Sequence, residues 1–138
     1  MTMCTLRRMC IFGTVWGDRV WLNDLGKIVE QCWCDIPDHY PSVDLDAYVV
    51  MPNHVHGILT IVDRDLTRTS IPEIVGTFKA TVTRQVHVMN GFSGLRVWQR
   101  AYHEQVIRSE RALGSIRQYV VNNPLKWHLD EENPDRQR

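Results

Sequence analysis

Two histidines one residue apart, His54 and His56, are the residues of this sequence best suited to chemistry. In an extended strand, successive side chains point to opposite faces, so both imidazoles would project from one face. Neighbouring imidazoles of this kind can bind one metal ion. Most His-x-His pairs are ordinary strand surface, but this pair follows a Met-Pro-Asn turn at 51–53 and precedes an apolar run at 57–61. That context favours a site.

Tyr119 and Asn123 form a second pair of interest near the end of the chain. Residues four apart on a helix lie on the same side, so a helix reaching this far would present both side chains together. The amide oxygen of Asn123 is a candidate third metal ligand. A tyrosine near a helix end is usually a packing residue, so this pair predicts chemistry only in combination with the histidines.

Both groups of residues lie in segments that resemble a known family. Residues 51–58, MPNHVHGI, resemble the HUH motif (histidine, hydrophobic, histidine) of the single-tyrosine transposases, especially the REP-associated tyrosine transposases of bacteria. Residues 116–127, IRQYVVNNPLKW, resemble the family's segment with the nucleophilic tyrosine. Weaker similarity at 74–79 and 97–100 extends the resemblance over nearly the whole chain.

The resemblance implies a function and a set of site residues. It implies that Tyr119 is the nucleophile and that His54, His56 and Asn123 bind a divalent metal, Mg²⁺ or Mn²⁺. Some relatives have glutamine at the Asn123 position. The implied reaction is cleavage and rejoining of single-stranded DNA near hairpin repeats through a 5′-phosphotyrosine intermediate. Relatives are either monomers or homodimers that exchange the tyrosine helix, so a homodimer is one expectation for this chain.

Three other functions stay open at this stage. One is a hairpin-DNA binding protein of the same family that no longer cleaves, because family members usually begin further upstream and the first strand is shortened here. The presence of His54, His56, Tyr119 and Asn123 argues against it. The second is a replication-initiation nickase with the same chemistry, and the third is an unrelated metal hydrolase, which would not need Tyr119.

Length and composition indicate one globular domain over residues 1–138. The chain is 43% hydrophobic and 23% charged, without an apolar run long enough to cross a membrane or a visible secretory signal. Four cysteines in such a chain are expected to be reduced, which predicts a cytoplasmic protein.

The formal net charge of zero hides an uneven distribution. Residues 18–63 have two basic and eight acidic side chains, whereas residues 64–117 have nine basic and four acidic side chains. A basic segment can follow a phosphate backbone, although a solvated helix face explains much of this charge. The candidate DNA contacts are Lys79, Arg84, Arg100 and His103.

The predicted elements follow one another as β, α, β, β, α, β and a final helix. The pattern predicts strands at 1–8, 45–50, 54–62 and 97–107, a hairpin at 14–22, helices that begin after Asn23, Ser70 and Ser109, and a frayed tail from Asp130. This order is the ferredoxin-like βαββαβ pattern, an α+β fold with an antiparallel sheet and an appended C-terminal helix carrying the tyrosine. The histidines would lie on the sheet face that the appended helix and the substrate share.

Overall fold

A computed structural model describes residues 1–62, 69–89 and 91–136, so Arg64 and Arg68 of the basic segment lie outside the described residues. The strands are β1 (Thr2–Cys4), β2 (Gly13–Trp16), β3 (Arg19–Leu22), β4 (Val43–Met51) and β5 (His54–Ile61). The helices are α1 (Asp24–Cys34), α2 (Ile36–His39), α3 (Ile71–His87) and α4 (Glu110–Asn122). Single 3-10 turns occupy Leu6–Arg8 and Trp127–Leu129.

The three long helices begin at the predicted residues. The side chains of Asn23, Ser70 and Ser109 each accept a hydrogen bond from a backbone N–H in the first turn of the helix that follows. These bonds satisfy amides that have no partner within the helix, which explains why the polar residue marks the start. Among the described residues, every helix is too short or too polar to cross a bilayer.

The main sheet is antiparallel, with β5 in the middle of the strand order β1-β5-β4. β4 and β5 are joined by a tight turn, and Met51 is paired with His54 in their register. On its other side β5 pairs with β1, where Thr2 faces His56 and Cys4 faces His54. Both histidines are therefore fixed by strands on two sides, which gives them little freedom of position.

The fourth strand predicted at 97–107 does not form as a continuous ladder. Two isolated bridges, Thr2 with His103 and Thr5 with Trp98, hold this segment against the free edge of β1. Because β1 has only three residues, it offers few backbone groups for pairing. The segment still occupies the position of the fourth strand. The predicted α+β fold with an antiparallel sheet is confirmed.

α1 and α3 pack together on one face of the sheet, around the fully buried Trp33. The Trp33 ring meets the ring of Phe78 edge-on at a centroid distance of 5.9 Å. Gly57 of β5 lies directly beneath Trp33, where a Cβ would overlap the indole ring. The core therefore fills this face completely and leaves the opposite face for α4.

α4 crosses the opposite face, over β4 and β5. Arg117 of α4 donates two hydrogen bonds, of 2.8 and 2.6 Å, to the carboxylate of Asp46 on β4. This bidentate pair fixes the orientation of the helix relative to the strand. Only Val120 of α4 is fully buried, because a cavity separates much of the helix from the sheet.

Candidate active site

His54 and His56 project from β5 toward α4, as the strand alternation predicts. Their ring centroids are 4.5 Å apart and their planes are inclined by 76°. His54 is fully buried, and the ring of Trp127 lies against it at a centroid distance of 6.1 Å. The two imidazoles therefore form one compact group.

Asn53 determines which nitrogen of His54 carries hydrogen. The Asn53 amide Nδ2 donates to the backbone carbonyls of Arg8 (3.2 Å) and Glu132 (2.6 Å), so its Oδ1 faces the imidazole. This Oδ1 lies 2.8 Å from His54 Nδ1, which must be the protonated nitrogen because an amide oxygen only accepts. The lone pair of His54 Nε2 is consequently available to a metal.

His56 is oriented by the strand beside it. Its Nδ1 lies 2.6 Å from the Thr2 hydroxyl of β1, which directs Nε2 into the site. Burial lowers the pKa of His54 to about 4 and that of His56 to about 3, with the neighbouring His54 adding to the second shift. Both imidazoles are therefore neutral near pH 7, the form that binds a metal.

Four buried polar atoms converge here without a hydrogen-bond partner among the described residues. They are His54 Nε2, His56 Nε2, Asn123 Oδ1 and Asp130 Oδ2. The ligand atoms of the two histidines and Asp130 all lie within 4.8 Å of one another. Buried polar atoms are normally paired, so this cluster needs an explanation. Two imidazoles with an amide and a carboxylate oxygen are a donor set suited to a divalent cation.

Tyr119 stands beside this cluster on α4, one helical turn before Asn123. Its ring centroid is 5.6 Å from that of His56, and the residue is 55% exposed. Burial of the phenol and then the carboxylate of Asp130 raise the pKa of Tyr119, and the Asn123 amide opposes this shift. The predicted juxtaposition of Tyr119, Asn123 and the two histidines is therefore what the structure shows.

The family model described as "Transposase IS200 like" matches residues 7–123 of the sequence. The chain belongs to the IS200-like transposase family. The resemblance of the two motifs to the tyrosine transposases is thereby confirmed. All three predicted metal-binding residues and Tyr119 lie within the matched range.

Three other proteins are similar to this IS200-like chain. An uncharacterized protein of Haemophilus influenzae is 36% identical, over 95% of this chain and 82% of that protein. The solved structure of a REP-associated tyrosine transposase bound to a REP hairpin has a TM-score of 0.69 at 19% identity. The match covers 91% of our chain but only 65% of the chain in that structure. A structure from Deinococcus radiodurans R1 gives a TM-score of 0.55 at 20% identity, covering 88% of this chain and 85% of that one.

Two clefts meet at Tyr119 and His56. One, of about 960 Å³, lies between the sheet and α4, and the other, of about 650 Å³, lies toward the C-terminal tail. His103, one of the predicted DNA contacts, lines both clefts. Arg84 lies on α3, which packs on the other face of the sheet, and Arg100 is exposed outside the two clefts. The DNA-contact roles of these residues stay predictions.

Lys79, the remaining predicted DNA contact, is hydrogen-bonded to backbone carbonyls of its own chain. Its ammonium donates to the backbone carbonyls of Gln99 (2.8 Å) and Ala101 (3.3 Å), and it lies 5.8 Å from the ring centroid of Tyr102. Burial lowers the pKa of this ammonium. Lys79 thus ties α3 to the segment that replaces the fourth strand.

We expect Lys79→Met to lower the free energy of unfolding by about 1–3 kcal/mol, because it removes two hydrogen bonds from a charged donor. The exposed neighbour Arg84→Met is the control and should change stability by less than about 0.5 kcal/mol. Urea unfolding measures both. An unchanged stability, together with a salt dependence of DNA binding reduced by about one phosphate contact, would instead make Lys79 a DNA ligand.

Asp130 is the residue of the site that the sequence did not indicate. The tail was expected to fray from this position, yet residues 130–136 form a series of turns packed on the body of the protein. Glu132 forms an ion pair with Arg8 at 3.1 Å, and Asn133 Nδ2 donates to the carbonyl of Trp127 at 3.0 Å. Arg8 lies far away in the chain, and the contact with Trp127 arises only once the turn has formed. The polarity of the tail alone therefore could not predict its order. The apolar Trp127 was the only signal that the chain returns to the core.

Proposed function

We propose that residues 1–138 act as one domain that cleaves and rejoins single-stranded DNA beside hairpin repeats, through a covalent intermediate on Tyr119 and with a divalent metal. The observation that carries this proposal is the position of a half-exposed tyrosine next to four buried polar atoms that lack a partner within the described residues. A tyrosine used only for packing would not need such neighbours.

The donor set fits a divalent cation. His54 Nε2, His56 Nε2 and Asn123 Oδ1 would hold it, and nitrogen donors beside an oxygen suit Mn²⁺ as well as Mg²⁺. When bound, the ion offsets the negative charge of a phosphodiester and makes its phosphorus easier to attack. Asn53 and Thr2 orient the imidazoles before any ligand arrives, so binding requires little rearrangement.

Tyr119 supplies the nucleophile in this scheme. Its phenol oxygen attacks phosphorus, the bond from phosphorus to the 3′ oxygen breaks, and the two fragments end as a 5′-phosphotyrosine and a free 3′-hydroxyl. The phenol proton passes to solvent during attack, because the raised pKa of Tyr119 keeps it protonated beforehand. A later attack by a 3′-hydroxyl reverses the step and rejoins DNA without an external source of energy.

Single-stranded DNA is the substrate that the geometry favours. A tyrosine on a helix within a cleft cannot reach a phosphodiester inside a regular duplex, whereas a flexible single strand can enter the 960 Å³ cleft beside Tyr119. The REP-associated relative with the same fold is bound to a REP hairpin, which supports a hairpin next to the cleaved strand.

Incubation of the purified protein with end-labelled single strands containing hairpins from DNA flanking its gene tests the proposal. Denaturing electrophoresis should show a protein-linked band with Mn²⁺ or Mg²⁺ that disappears when a chelator is added. Binding without any linked or cleaved product, across all flanking substrates, would favour the cleavage-deficient binding protein instead. Cleavage without a linked band would favour a hydrolase.

His54→Ala should reduce the metal-dependent linked product by at least about 100-fold, because it removes a metal ligand and the group held by Asn53. His39→Ala on α2 is the matched control, since that histidine is exposed and remote from the site. Because His54 is fully buried, far-ultraviolet circular dichroism and His56→Ala should accompany it. Undiminished product from both folded variants would exclude the histidines as ligands.

A further inference from the structure

Asp130 has a buried carboxylate whose two oxygens are in different situations. Oδ1 accepts a hydrogen bond of 2.8 Å from the backbone N–H of Glu132, two residues further on. Oδ2 has no donor within the described part of the chain and lies 3.7 Å from His54 Nε2. Only 5% of the side chain is exposed to solvent. Bulk solvent therefore has little access to the unpaired oxygen.

The backbone around Asp130 is held firmly in this position. Asn53 Nδ2 donates to the carbonyl of Glu132 at 2.6 Å, and Arg8 pairs with the Glu132 carboxylate. Before Asp130, the Trp127 ring packs against His54. Asn53 therefore orients His54 and also positions the tail segment that contains Asp130.

His54 Nε2 and Asp130 Oδ2 lie 3.7 Å apart and neither has a hydrogen-bond partner among the described residues, and a buried polar or charged group left unpaired is costly. A cation between Asp130 and the two histidines would remove this cost. We propose that Asp130 is an anionic ligand of the divalent metal, so that the C-terminal segment 127–133 forms part of the metal site. This inference rests on the proposed function, which assigned the site to His54, His56 and Asn123 alone.

Two consequences follow from an anionic ligand delivered by the tail. The carboxylate adds a hard oxygen donor, which strengthens binding of Mg²⁺ and Mn²⁺ relative to a site with only neutral donors. Metal binding also becomes coupled to docking of the tail, because a ligand that binds the docked form stabilises that form.

Titration with Mn²⁺, followed by electron paramagnetic resonance of the free ion, tests the ligand without DNA or activity. Asp130→Asn keeps the shape but removes the charge, and we expect its dissociation constant for Mn²⁺ to rise at least about tenfold. Asp135→Asn, an exposed carboxylate in the same tail, is the matched control and should bind as the unchanged protein does. Equal affinity of Asp130→Asn, or no Mn²⁺ binding by the unchanged protein at millimolar concentration, would overturn the inference.

Amide hydrogen exchange over 130–136 provides a second readout. In the unchanged protein Mn²⁺ should slow exchange in this segment, and in Asp130→Asn it should not. Equal slowing in both proteins would overturn the inference. Weakened Mn²⁺ binding by Asp130→Asn in a protein that never links to DNA would keep Asp130 as a ligand while rejecting the proposed reaction. A linked product together with an unchanged Mn²⁺ affinity of Asp130→Asn would support the proposed reaction and reject Asp130 as a ligand.

Discussion

Tyr119→Phe is expected to abolish the protein–DNA linkage, lowering its yield by more than about 1,000-fold. The substitution removes only the phenol oxygen, which is the proposed nucleophile. Because the residue is largely exposed and its ring can keep its place beside His56, stability should change by less than about 0.5 kcal/mol. Affinity for Mn²⁺ and for hairpin DNA should stay within about twofold, since the proposed ligands are untouched.

Tyr102→Phe is the control for this result, because Tyr102 lines the smaller cleft together with Tyr119. It should form the linked product at the normal level. If Tyr102→Phe lost the product while Tyr119→Phe kept it, the nucleophile would be assigned to the wrong tyrosine. Retention of product by both variants would show that neither phenol attacks DNA.

Gly57→Ala is expected to destabilise the protein by about 2–3 kcal/mol or more. A Cβ at this position would overlap Cζ2 and Cη2 of Trp33, whose ring is fully buried and held by Phe78. Relief requires either the indole or the strand to move. Since Gly57 adjoins His56, movement of β5 should also weaken Mn²⁺ binding.

Gly114→Ala is the matched control, because Gly114 lies on the exposed side of α4 with open space around its Cβ position. It should raise stability by about 0.5–1 kcal/mol through helix propensity. Urea unfolding of the two variants compares the same chemical change in two environments. Equal stabilities would contradict the close contact between β5 and Trp33.

The sequence predicted those parts of the fold that depend on neighbours along the chain. The helix starts at Asn23, Ser70 and Ser109 follow from one side chain bonding to an amide three residues on. The common face of His54 and His56 follows from strand alternation alone. The pairing of β4 and β5 could likewise be predicted, because only the two residues Pro52 and Asn53 join them.

The parts of the fold and of the site that the sequence did not predict depend on contacts between distant segments. The strand expected at 97–107 is reduced to two bridges. The short β1 limits the ladder, and Lys79 donates hydrogen bonds to two backbone carbonyls of the segment. The tail was expected to fray because it is polar. Its order comes from Asn53 and Arg8, which lie far away in the chain. Asp130 was missed for the same reason.

Mass spectrometry of the peptides released from the protein after reaction with a hairpin-containing single strand and Mn²⁺ tests the covalent intermediate on Tyr119 directly. We expect one modified peptide, with the 5′-phosphate of the downstream fragment on Tyr119, and a matching upstream fragment that ends in a 3′-hydroxyl. A DNA adduct on any other residue, or cut DNA with every peptide unmodified, would contradict it.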